Sequence, residues 1–145
     1  MQDPVCGDWS LENFKYPIRA QGWNDHRGLI TYSKYKFKIA QTLIREDFEL
    51  THVLFPSSSN PYSIILFYRP SSSKNVTDFI ESIQSMVEDP RRENQTMIIL
   101  GDANIDLNLH NDTITQQYTQ GLINLNLKQL ITSPTTMFRS TIDHI

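Results

Sequence analysis

The sequence predicts a layered α/β fold, on three observations. Tyr62 to Tyr68 is a continuous, largely apolar run, and Met97-Ile98-Ile99-Leu100 is a second one. Short runs of this kind suit strands covered on both faces. Between them, Phe79, Ile80, Ile83, Met86 and Val87 recur at helical spacing. Strands with interspersed helices bury their apolar surface by packing helices against a sheet.

In chain order, residues 1–25 show no clean period and are punctuated by Pro4, Gly7, Pro17 and Gly22, so residues 1–14 receive no assignment. Gly28 to Ser33 and Lys34 to Ile39 are strand-like. The second stretch alternates strictly, Lys34, Lys36 and Lys38 against Tyr35, Phe37 and Ile39, which predicts a half-buried strand. Its lysine stripe reads as a solvated sheet face or as a surface that tracks phosphates. Phe48 to Phe55 is a further strand, closed by the turn-rich stretch from Pro56 to Pro61. The helix over Thr77 to Glu88 is expected to stop at Pro90. A second helix starts near Asp112, carries Ile114, Tyr118, Leu122 and Leu125 inward, and ends at Asn126 as a left-handed cap. After Pro134, Thr141 to Ile145 begins one more strand. No repeat or linker divides the 145 residues, which read as a single, partial domain over 1–145.

Composition narrows the function. With 13 Lys and Arg against 16 Asp and Glu, the formal net charge is −3. Mild acidity excludes a broad electrostatic grip on nucleic acid, so phosphate chemistry would need a metal ion or a local basic patch. No apolar run approaches the roughly 20 residues of a membrane span. The N-terminal residues, with Asp3, Asp8 and Glu12, do not form a signal peptide. An intracellular location, the nucleus included, is therefore expected, without membrane contact. Cys6 is the only cysteine and reads as an incidental thiol, and the sequons at Asn75, Asn94 and Asn111 as chance matches.

Polar chemistry concentrates at Met97 to Asn104, where a buried strand reaches the edge of its sheet in Gly101-Asp102-Ala103-Asn104. Layered proteins place sites there. In extended geometry Asp102 and Asn104 point to one side and Ala103 to the other. The carboxylate could accept a proton or contact a metal, and the amide could hydrogen-bond a phosphate oxygen. The same residues could equally form an Asp-Asn turn whose side chains cap backbone groups. A calcium loop starting at Asp102 fails, because Leu107 stands where glycine is needed and Thr113 where a bidentate glutamate is needed. There is no Gly-rich phosphate loop, nucleophile elbow or His-Glu-x-x-His pair.

Four fragments occur in order: His26-Arg27-Gly28-Leu29-Ile30, Phe67-Tyr68-Arg69-Pro70, Ile99-Leu100-Gly101-Asp102-Ala103-Asn104-Ile105-Asp106, and Ser140-Thr141-Ile142-Asp143-His144-Ile145. With Leu127 to Thr135 between the last two, they resemble the endonuclease/exonuclease/phosphatase superfamily, most closely the apurinic-like endonuclease domain of non-LTR retrotransposon proteins. The resemblance runs from about residue 15 to the end. It implies a four-layered α/β sandwich whose two sheets present a divalent-metal site at one end, and hydrolysis of DNA phosphodiesters by an activated water. It matches Asp102 to the aspartate that positions or deprotonates that water, and Asn104 to the amide that steadies the phosphate and metal. Tyr68 matches the tyrosine near the scissile phosphate, and Asp143 the aspartate that orients a catalytic histidine. Mg2+ or Mn2+ is the implied cofactor, with Asp102 and Asn104 as its nearest ligands, and DNA the implied partner.

Two of the family's groups find no match. No metal-binding glutamate precedes His26, since Glu12 lies in the wrong context, and the terminal Ser-Asp-His motif is missing. Asp143-His144 does not replace it, because neighbouring strand residues face opposite ways, and His144 matches a variable position where aromatics are common. The expectation is a fragment lacking both ends of the domain and inactive as an isolated chain. Two other readings remain open: a phosphoesterase acting on small molecules, and a non-catalytic relic that meets partners through exposed sheet edges.

Overall fold

A computed structural model of the chain describes residues 18–19, 29–56, 61–92 and 95–145. The readings that involve Cys6, Glu12, Asn94 and His26 to Gly28 fall outside these residues. Strands β1 (Ile18–Arg19) and β2 (Ile30–Thr31) form a small antiparallel sheet. The main sheet has the order β3 (Lys38–Ile44), β4 (Glu49–Phe55), β5 (Tyr62–Tyr68), β6 (Thr96–Asp102) and β7 (Asp143–His144). All neighbours are antiparallel except β5 and β6, which run parallel and are joined by helix α1 (Val76–Arg92). Helix α2 (Thr113–Asn124) lies between β6 and β7 in the chain. This mixed sheet is the α/β architecture expected. No helix among the described residues is long and apolar enough to cross a membrane.

The core lies between one face of the sheet and the two helices. Leu50, Ile65 and Phe67 on the strands, with Phe48 beside them, meet Phe79, Ile83, Met86 and Val87 of α1 and Tyr118 of α2. Phe79 sits at the centre, with ring centroids 5.3 Å from Phe48, 5.5 Å from Phe67 and 6.2 Å from Tyr118. Along β5, Ser63, Ile65 and Phe67 are buried, while Tyr62, Ile64, Leu66 and Tyr68 are only half-buried. The continuous apolar run thus covers one face fully and the other in part.

Local chemistry sets the helix ends. The Asn75 side chain accepts the Asp78 amide at 3.0 Å and starts α1. Asp112 accepts the Thr115 amide at 2.9 Å and starts α2. At the far end of α2, Asn126 is left-handed (φ 52°), its amide donates to Ile123 O, and that of Leu127 donates to Leu122 O. This double closure is the Schellman arrangement and realises the cap expected at Asn126. Pro90, in contrast, does not stop α1, which continues to Arg92. A proline so near the end removes one hydrogen bond from the final turn and leaves the earlier turns intact.

The strand expected over Lys34 to Ile39 is displaced, since β3 begins only at Lys38. Ser33 Oγ donates to Tyr35 O at 2.8 Å and accepts the Tyr35 amide at 3.0 Å. This local turn competes with a sheet ladder and leaves Tyr35 72% exposed.

Candidate active site

The strand registers bring four polar side chains into one row. Glu49 pairs with Tyr68, Tyr68 with Asp102, and Asp102 with Asp143. Residues paired across strands share a face, and the neighbouring row of Leu50, Phe67, Gly101 and His144 faces the helices. Tyr68, Asp102 and Asp143 therefore stand together on the face away from the helices, where the parallel strands β5 and β6 end. Three of the four candidates are thus neighbours in one row.

Asn104 reaches the same place by a turn. The extended geometry expected beyond Asp102 does not persist, because Asn104 is left-handed (φ 49°). Its amide donates to Asp102 Oδ1 at 2.8 Å, and its Nδ2 donates to Arg69 O at 2.9 Å. Asparagine tolerates this conformation better than most residues. Asp102 and Asn104 thus form an Asp-Asn turn. It nevertheless keeps the Asp102 carboxylate half-buried at the end of the row. Burial raises the Asp102 pKa above the usual carboxylate value; the Asn104 hydrogen bonds oppose the rise and the charge on Asp143 adds to it.

Sequence reasoning gave Arg69 no role, yet it organises this turn. It is 1% exposed. Its amide donates to Asp102 O at 2.9 Å, and its Nη1 and Nη2 donate to Ala103 O at 3.1 Å and Ser73 O at 2.6 Å. Burial lowers the Arg69 pKa, with Asp47 and Tyr118 acting in the opposite sense. The available signal was an arginine placed directly after an apolar strand, where a buried cation needs acceptors.

The approach to β7 is held from below and above. Asp106 Oδ1 accepts the amides of Asn108 (3.1 Å) and Thr141 (3.0 Å), and Thr135 Oγ1 accepts those of Ile142 (3.2 Å) and Asp143 (3.3 Å). Within the intervening loop, Thr135 and Thr136 amides both donate to Ser140 O, and Asn108 Nδ2 donates to Arg139 O at 3.0 Å. The loop's tip carries Met137 and Phe138, which are 87% and 85% exposed. His144 points the other way. It is buried, with Nδ1 2.9 Å from the Tyr118 hydroxyl and Nε2 3.2 Å from Thr141 O. Since Thr141 O can only accept, Nε2 carries the proton and Nδ1 accepts from Tyr118. Desolvation lowers the His144 pKa, against its hydrogen bonds to the backbone of Thr141 and Ile105 and the charges of Asp143 and Asp106.

Among the described residues no three His, Cys, Asp or Glu side chains gather closely enough to hold a metal ion between them. The oxygens of Asp102 and Asn104 are nonetheless of the hard type that Mg2+ prefers, and Mg2+ commonly uses one or two carboxylates with water and phosphate completing its shell.

The mixed five-stranded sheet with helices packed on one face is an α/β fold. The structure is similar to the endonuclease domain of TRAS1, a telomere-specific non-LTR retrotransposon, with a TM-score of 0.61 at 16% sequence identity, over 90% of this chain and 66% of that one. At this identity the likeness is one of fold, and the chain spans just under two-thirds of its neighbour's length. No family model matches the chain, and no curated protein matches it.

Proposed function

We propose that residues 1–145 form part of a Mg2+- or Mn2+-dependent DNA endonuclease domain, with Asp102 as the water-activating base. The observation that carries this reading is the row of Tyr68, Asp102 and Asp143, with Asn104 turned back against Asp102. A carboxylate lifted above its usual pKa holds a proton taken from water more readily than an ordinary one. Asn104, fixed to Arg69 O, keeps the carboxylate oriented, and Tyr68 places a hydroxyl beside it for a phosphate oxygen. A divalent ion held by Asp102 and Asn104 would offset charge on the phosphate oxygens. The braced loop presents Met137 and Phe138 as an apolar wedge of the kind that enters a DNA groove.

Turnover by this chain alone is expected to be weak. Asp143 has no histidine beside it among the described residues, because His144 turns to the core. A missing acid–base partner typically costs about 10² to 10⁴ in rate. The test therefore reads binding. In amide NMR spectra, added Mg2+ should shift Asp102, Asn104 and Asp143, and Asp102→Asn should abolish those shifts. Shifts spread over the surface, or unchanged in Asp102→Asn, would overturn the reading.

A further inference from the structure

The bend before β3 leaves exposed a tyrosine that the core does not use. Lys34, Tyr35, Lys36 and Lys38 are all exposed, Tyr35 at 72%. The buried Ser33 hydroxyl is engaged on both sides by the Tyr35 backbone, so the bend that projects Tyr35 is fixed. Next in the chain, Phe37 packs on Phe55 (centroids 5.6 Å apart), and Phe55 stacks on Tyr62 at 4.8 Å with ring planes 7° apart. Phe37 thus anchors the tract, while Tyr35 offers an exposed ring between lysines.

We propose that this tract is a second nucleic-acid surface, which binds single strands. Lysines supply attraction to the backbone phosphates, and an exposed ring stacks on a base. A ring can take a base face only when that base is unpaired, so the chemistry selects single strands over duplex. Phosphates and base faces are common to DNA and RNA, and the tract recognises both. It lies at the end of the sheet far from Asp102. Strand β4 begins at Glu49, in the row of Asp102, and ends at Phe55, in the aromatic stack. At about 3.3 Å per residue this separation is roughly 20 Å. A strand held at Tyr35 therefore does not occupy the candidate active site.

Fluorescence anisotropy with labelled oligo(dT) and oligo(U) tests this on the full chain, with circular dichroism to confirm that each variant folds. Tyr35→Ala should weaken binding of both probes about tenfold. Replacing Lys36 and Lys38 by Ala should flatten the dependence of log affinity on log salt by about 0.7 per lysine. Lys128→Ala, which removes an exposed lysine outside the tract, should leave both affinities unchanged. The proposal is overturned if neither probe binds, if Tyr35→Ala binds as the parent does, or if a duplex of equal length loses as much affinity on that substitution.

Discussion

The guanidinium of Arg69 is buried against the carbonyl of Ala103, 3.1 Å from Nη1 to O. Ala103 separates Asp102 from Asn104, and Arg69 also holds both neighbours through its backbone: its amide donates to Asp102 O and its carbonyl accepts from Asn104 Nδ2. The turn that carries the candidate base is therefore clamped by a residue from the adjoining strand end.

Arg69→Met should cost about 2 to 4 kcal/mol, because it leaves Ala103 O and Ser73 O buried without their charged donor. Urea denaturation measures this. Arg69→Lys should recover only part of it, since one ammonium cannot reproduce two guanidinium bonds of fixed direction. Full stability in Arg69→Met would show that the clamp is not needed.

Gly101 and Gly121 should respond very differently to alanine. A Cβ at Gly101 would lie 1.9 Å from Phe67 O, a backbone atom of the neighbouring strand. The strands must separate, and a loss of about 3 kcal/mol or more is expected. At Gly121 the new atom would meet the Ile80 side chain at 2.8 Å. This β-branched side chain is stiff within α1 but is not backbone, and the gain in helix propensity of about 1 kcal/mol offsets part of the crowding, so a loss well below that at Gly101 is expected. Equal losses at both positions would contradict this packing.

Asp102 has a raised folded-state pKa, so between the unfolded and folded values the folded chain binds more protons. Its contribution is fully present below the ordinary value near 4 and is lost as pH rises through the folded pKa. Asp102→Asn should remove that slope and be at least as stable as the parent at neutral pH. Stability curves at a series of pH values, compared between the two proteins, provide the check.

His144 acts in the opposite sense. Its folded pKa is lowered, so its contribution is present above the unfolded value of about 6.5 and is lost as pH falls through the folded pKa. Nitrogen-15 NMR should show the Nε2-protonated tautomer at neutral pH and a titration midpoint below 6.5. A midpoint above it would contradict the buried pairing with Tyr118.

Replacing Met137 and Phe138 together by Ser should leave stability within about 0.5 kcal/mol of the parent, as is usual for exposed positions. If the loop is the wedge proposed, duplex DNA binding should fall by at least severalfold. Unchanged duplex binding would remove the loop from the DNA-facing surface.

Much of the sheet was legible in the sequence because burial imposes composition directly. The strands at Phe48 to Phe55, Tyr62 to Tyr68 and Met97 to Leu100 carry apolar side chains that only a core accommodates, and Asn126 carries the signature of its left-handed cap. The failures share a cause. Alternation at Lys34 to Ile39 cannot show that the Ser33 hydroxyl bends the chain first, and Pro90 stops a helix only when further turns depend on its missing amide. In the candidate site, Asp102 and Asn104 were marked by their place at the end of an apolar strand, and Tyr68 and Asp143 by the resemblance. The alignment of Tyr68, Asp102 and Asp143 in one row depends on strand register, which no local pattern displays. Arg69 was passed over because its partners are backbone carbonyls, and these leave no mark on the sequence.

Strand β7 pairs only with Gly101 and Asp102, whereas β5 lies along all seven residues of β6. From Thr96 to Leu100, then, the amides of β6 divide into those aimed at β5 and those aimed at the outer side of the sheet, where no strand of the described residues lies. Solvent deuterium should enter this strand in an every-other-residue rhythm, slow and fast in turn, while the amides of β5, flanked on both sides, exchange only when the whole sheet opens.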